Sequence, residues 1–290
     1  MSEANAVDGS GRSLSIFIHD RLSIIVTAII LTATIAAWIV SSSLMPLLMS
    51  NTSSGMTAGM ESPGTMAGMS VLTIVPSLSL PVVGVFEVVW VISMAAMMFP
   101  AMIPMVLFYN KVRATEEPSV SLARAGGTSL FLAGYIVVYA LLGVGAYLAI
   151  YGGLALSSSF PVPSTPSLIV PSVILIVTGI YQFSSLKNRC LSQCVSPFGF
   201  FATHSRKGLV GAFRMGLSHG AFCAGCCWAY MLVMLAVGAM SVPTMLALTG
   251  LVVVEKVVVR GSTWFNKSVG FGFVSLAVLV AVFPSVLSLV

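Results

Sequence analysis

The sequence predicts an all-α fold, a polytopic transmembrane helix bundle, and three observations carry that reading. Hydrophobic residues make up 58% of the 290-residue chain and charged residues only 7%, against roughly 25% charged in an ordinary soluble domain. Apolar runs of bilayer-spanning length recur along it. Its 13 Lys and Arg fall in alternate connections between those runs. So few charged side chains cannot cover a soluble particle of this size, whereas a surface embedded in lipid needs none.

A helix rising about 1.5 Å per residue needs roughly 20 residues to cross the hydrocarbon core. Seven runs reach or approach that length: 22–45, 82–108, 126–152, 167–186, 212–238, 242–258 and 268–289, the sixth being the shortest. Arg12 and Arg21 precede the first run, and Lys111, Arg113 and Arg124 follow the second. Lys187, Arg189, Arg206, Lys207 and Arg214 follow the fourth, and Lys256, Arg260 and Lys267 close or follow the sixth. All lie on one side of a seven-span topology. The positive-inside rule then places the N-terminus in the cytoplasm and the C-terminus outside, for a multi-pass protein of the plasma membrane. Residues 1–21 form a cytoplasmic segment and 22–290 a single transmembrane domain with a Met-rich outer loop at 46–81. The first run lacks a small-residue cleavage site and reads as a retained anchor. The net charge of +5 is therefore a signal of topology, with the lipid bilayer as partner and no nucleic acid.

Sulfur is the other unusual element, with 17 Met and 5 Cys. In the outer loop Met49, Met56, Met60, Met66 and Met69 alternate with Gly, Ser, Thr and Ala. From Asn51 to Ser70 that loop holds no aromatic or branched aliphatic side chain and cannot form a core. Its thioethers are soft, neutral ligands that suit Cu(I). On the second run Glu87, Met94, Met98 and Met105 share one helical face, with Met97 and Met102 at its edges. Pro100 and Pro104 each remove a backbone donor, freeing the carbonyls of Ala96 and Pro100 beside the methionines. Methionine stripes are common packing devices. The carboxylate of Glu87 inside a span raises this one above packing.

The fifth run is the sharpest. Met215, His219, Cys223, Cys226, Cys227, Met231 and Met234 occupy one face of RMGLSHGAFCAGCCWAYMLVM. A lone buried Cys or His is usually packing. A Cys-x-x-Cys-Cys with His one turn earlier on the same face points instead to a metal site, with His219, Cys223, Cys226, Cys227, Met215 and Met231 as candidate ligands. Gly216, Gly220 and Ala224 form a small-residue track beside them, which suits close approach of another helix. The expected partner is the second run, which would set Met94, Met97 and Met98 opposite the thiols. Cys190 and Cys194 form a further candidate pair just past the fourth run, beside Lys187 and Arg189. His204 in the same connection reads as solvated, and Phe198, Phe200 and Phe201 as interfacial.

YQFSSLKNRCLSQCVSP, SHGAFCAGCCWAYMLVMLAVGAM, AAMMFPAMIP and the Glu255–Lys256 pair together resemble the family of predicted metal-binding integral membrane proteins, a domain of unknown function. The resemblance covers roughly residues 82 to 260 and implies metal binding, copper foremost, with no mechanism attached. The outer loop separately resembles the Met-rich extracellular segments of copper importers.

Cu(I) handling in the membrane is the expected function, with translocation through a Met/His/Cys path as its leading form. The alternative is a copper chaperone or accessory subunit that loads a membrane-bound metalloenzyme. A metalloenzyme of that kind or a soluble copper chaperone is the expected partner. No Walker motif is present, and the chain reads as a non-enzyme. Thiol–disulfide chemistry is disfavoured because the predicted topology places all five Cys in the membrane or the cytoplasm. Hydrolysis is disfavoured because His219 has no acidic residue near it in sequence.

Overall fold

The computed structural model describes residues 21–53, 79–116, 121–159, 166–238 and 242–282, and they are helical almost throughout, with no strand among them. Nine α-helices follow one another among the described residues: α1 Arg21–Ser53, α2 Leu80–Glu116, α3 Ser121–Ser159, α4 Pro166–Tyr181, α5 Ser185–Val195, α6 Pro197–His204, α7 Gly208–Gly238, α8 Val242–Val253 and α9 Thr263–Val282. A π-turn, Val254–Val258, continues α8. Met56, Met60, Met66 and Met69 of the Met-rich loop, and the segment before Arg21, lie outside the described residues, as does the side chain of Met49.

α1, α2, α3, α7 and α9 are long and apolar enough to cross a membrane, making five, or six when α4 and α5 are counted as one span bent by 68°. The sequence predicts seven. The difference lies in two places. The run 242–258 divides into a 12-residue helix and a 5-residue π-turn, neither long enough to cross by itself and together at the short limit of a crossing. The run 167–186 ends early, at a break after Tyr181. There the N–H groups of Phe183 and Ser184 donate to carbonyls only three residues back, on Ile180 and Tyr181, each at 3.0 Å. Such tightening ends an α-helix. Ser184 then caps a new one, its hydroxyl accepting the Lys187 N–H at 3.1 Å. Ser196 repeats the device for α6 with the Gly199 N–H at 3.2 Å, and Pro197 takes the first helical position, where no donor is required.

α7 is the axis of the bundle, packing on α3, α4, α5 and α8. α2 packs on α1, α3, α6 and α8, and α9 packs on α4. α1 lies at the edge, leaving Ile24, Ile29, Ile35 and Ile39 exposed, as a face turned to lipid would be. The main core joins Trp90, Met94, Met97 and Met98 of α2 to Phe131, Tyr135 and Tyr139 of α3 and to the sulfur stripe of α7.

The small-residue track of α7 meets α3, where the sequence predicts α2. A Cβ added to Gly216 would stand 2.0 Å from the Phe131 carbonyl oxygen, and one added to Gly134 of α3 would stand 2.3 Å from that of Phe213. Glycine faces glycine near the same level, so the two backbones touch. α2 meets α7 through side chains, as where Met98 Sδ stands 4.0 Å from Cys227 Sγ. Gly216→Ala should therefore lower stability by about 3 kcal/mol through overpacking, whereas Gly145→Ala, which meets nothing within 4 Å, should not. Thermal unfolding of the detergent-purified variants checks both.

Candidate metal centre

Three elements converge on the inward face of α7. Cys223, Cys226 and Cys227 stand on α7 itself, Cys194 comes from α5, and Lys256 comes from the π-turn. The ligand atoms of Cys194, Cys223 and Cys226 all lie within 4.8 Å of one another, and the sulfurs of Cys194 and Cys226 are 3.9 Å apart. With metal–sulfur bonds of about 2.3 Å, three thiolates in a plane around one ion stand about 4.0 Å apart. The trio has the chemistry and spacing to take a soft ion. Cys194 therefore belongs to the same cluster as the α7 thiols. The sequence places it in a separate cytoplasmic pair, because nothing in linear spacing shows that α5 folds back onto α7.

Local bonding aims the sulfurs. The thiols of Cys226 and Cys227 both donate to the Cys223 carbonyl, at 3.0 and 2.7 Å. The Tyr135 hydroxyl stands 3.1 Å from Cys223 Sγ, and donates to Tyr139 Oη at 3.2 Å. The Lys256 ammonium donates to Cys223 Sγ at 2.8 Å. Thiols must lose protons to bind a metal, and a cation at this distance offsets the charge that appears on sulfur.

A second network fixes these elements in place. Lys187 of α5 is fully buried, its Nζ 2.5 Å from Glu255 Oε1, and it donates to Tyr230 Oη at 3.0 Å and also to Gln182. The Tyr230 hydroxyl donates to Glu255 Oε2 at 2.8 Å. Tyr181 donates to the Gly225 carbonyl. The break after α4, the start of α5, the π-turn and α7 are thus held together, with Cys194 and Lys256 carried to the α7 thiols. The π-turn contributes directly: Val259 N–H donates five residues back to Val254 at 2.9 Å. Its wider pitch buries the consecutive Glu255 and Lys256 together.

Cys190 reaches α7 but not the trio; its sulfur lies over Gly225, where an added Cβ would stand 2.8 Å away. His219 is buried beside the rings of Phe131, Tyr135 and Phe200, with centroids 6.0, 5.9 and 5.3 Å away. Its Nδ1 has no hydrogen-bond partner among the described residues, and it stands outside the trio. Met215 accepts the Arg206 N–H at 3.3 Å, two turns before Cys223. Met231 and Met97 are buried in the core. Met98 faces Cys227, with 4.0 Å between the sulfurs, and Met94 lines a cleft with Tyr135 and Tyr139. Glu87 sits far along α2, where a Cβ on Gly143 would be 2.5 Å from Oε2, away from the thiols. His204, expected in solvent, stacks on Phe200 at 4.8 Å.

Two charged groups at this centre have an overlooked sequence signal. Lys256 and Glu255 lie in LVVVEKVVV, apolar on both sides, and ionisable groups inside such a run are functional candidates by default. Lys256 enters the sequence reading as a marker of topology and as part of the family resemblance, and neither shows its contact with sulfur. Tyr135, Tyr139 and Tyr230 gave no comparable signal.

Fold and site together define a helical protein of membrane-spanning character with a buried, soft-ligand thiol cluster. The sequence pattern of the PpoB2 family, described as a copper chaperone, matches residues 87–280, and the chain belongs to that family. No curated protein and no solved structure matches it. Removing one partner of a buried ion pair costs about 3 to 5 kcal/mol, so Glu255→Gln and Lys187→Met should each destabilise the folded chain by that amount. Replacing both, as Lys187→Met with Glu255→Leu, should recover part of the loss in the same detergent unfolding assay.

Proposed function

We propose that this chain carries Cu(I) as cargo in the Cys194–Cys223–Cys226 trio and delivers it to a membrane-bound metalloenzyme. The observation that carries this reading is the trio itself: three thiols from two helices, inside the bundle, with spacing suited to one soft ion. Membership of a family described as a copper chaperone supports copper as the ion. The buried Lys256 supports a monovalent cargo held by two thiolates, since one cation, two thiolates and one Cu(I) sum to zero charge away from water. Nothing in this role requires catalysis by the chain. The placement of basic residues supports a plasma-membrane orientation with the N-terminus in the cytoplasm, where a soluble copper chaperone could serve as donor.

Translocation is the second reading, favoured by Met98 and Met94, which extend the sulfur ligands of α7 onto α2. Metal flux through proteoliposomes of the isolated chain supports translocation. A stoichiometric metalloenzyme subunit retained in mild detergent supports delivery.

Protein purified under reducing conditions should hold Cu(I) in excess over Zn and Fe. Cys194→Ala and Cys226→Ala should each weaken its tight Cu(I) binding by roughly tenfold or more in chelator competition. Unchanged binding in both variants and in their double mutant would return the trio to packing.

A further inference from the structure

The adjacent cysteines of α7 turn to different neighbours. Cys226 faces Cys194 of α5 at 3.9 Å, whereas Cys227 faces Met98 of α2 with 4.0 Å between Sγ and Sδ. Cys227 stands outside the trio. Both members of the second pair are buried, at 1% and 0% exposure. The Tyr139 hydroxyl lies 3.8 Å from Cys227 Sγ. Four residues before Met98 on the same helix, Met94 lines an apolar cleft between α2 and α3, together with Tyr135 and Tyr139. Thiol, thioether and cleft therefore lie in succession along the α2 side of α7.

Two sulfurs in line across an ion with bonds of about 2.3 Å stand about 4.6 Å apart. The pair is close to that separation, and Met98 has three rotatable bonds with which to widen it. A thiol with a thioether is a soft donor set that favours Cu(I) and offers less negative charge than three thiols. We propose that Cys227 and Met98 form a second, weaker Cu(I) site, a waiting station beside the trio approached past Met94. It rests on the Cu(I) reading above and adds the route by which the cargo reaches the trio. On binding, Cu(I) replaces the thiol proton of Cys227, which leaves as H⁺; no electron moves. Because Cys226 and Cys227 hydrogen-bond to one carbonyl oxygen, passage between the two sites is an exchange of neighbouring ligands on one helix.

The test uses the full-length chain in detergent, titrated with Cu(I) and separately with Ag(I), a monovalent soft ion that stays in one oxidation state. The wild type should bind two ions with separable affinities. Met98→Leu, which nearly conserves volume, and Cys227→Ala should each weaken only the weaker site, by roughly tenfold or more. Selenomethionine-labelled protein should show copper–selenium scattering in X-ray absorption at two equivalents, absent at one equivalent and lost in Met98→Leu. A wild type that binds one ion, or a weaker site unmoved by both variants, overturns this inference and leaves the trio standing. Tight binding that survives Cys194→Ala and Cys226→Ala while Met98→Leu abolishes the weaker site would overturn the trio and retain the second site.

Discussion

The ion pair between Lys187 and Glu255 is the contact on which the rest of the centre depends. Neither residue touches the thiols, yet Lys187 begins α5, which carries Cys194, and Glu255 precedes Lys256, which donates to Cys223. Two opposite charges buried away from water are tolerated only when paired and further hydrogen-bonded. Tyr230 and Gln182 supply those extra bonds. The same requirement holds the broken α4–α5 segment and the π-turn against α7, so the need to satisfy buried charge positions the sulfur ligands.

The close contact of α3 with α7 supplies the opposite wall. Gly134 and Gly216 let the backbones touch, which brings Tyr135 and Tyr139 within reach of Cys223 and Cys227. Without a hydrophobic force between helices in lipid, such small-residue contacts are what hold them together. α7 is thus gripped on one side by backbone contact and on the other by a polar network. Its Cys223, Cys226 and Cys227 lie between, buried from water.

The sulfur stripe of α7 serves two directions at once. Cys226 and Cys223 turn to a thiol-bearing helix, Cys227 to a thioether-bearing one. A chain that carries a soft ion gains from such grading, because an ion moves readily only between sites whose affinities differ modestly. Lys256 sits on the thiol-rich side, where negative charge would accumulate.

The helical class and the sulfur face of α7 were legible in the sequence, because both follow from period and composition. Apolar runs of about 20 residues cross lipid as helices, and residues spaced by three and four share a helical face wherever the helix lies. What linear spacing could not tell was the partner of each face. Cys194 lies 29 residues before Cys223 and reads as a loop thiol until the break at Tyr181 turns α5 back onto α7. Lys187 and Lys256 read as markers of topology and as parts of the family motifs, since a sequence window counts their charge without their partners. The Gly track fixed that α7 would meet some helix closely; only tertiary packing selected α3, whose Gly134 packs on the turn that holds Gly216. Periodicity determines which ligands a helix can offer, and the long-range pairing of buried charge and small residues decides which of them meet.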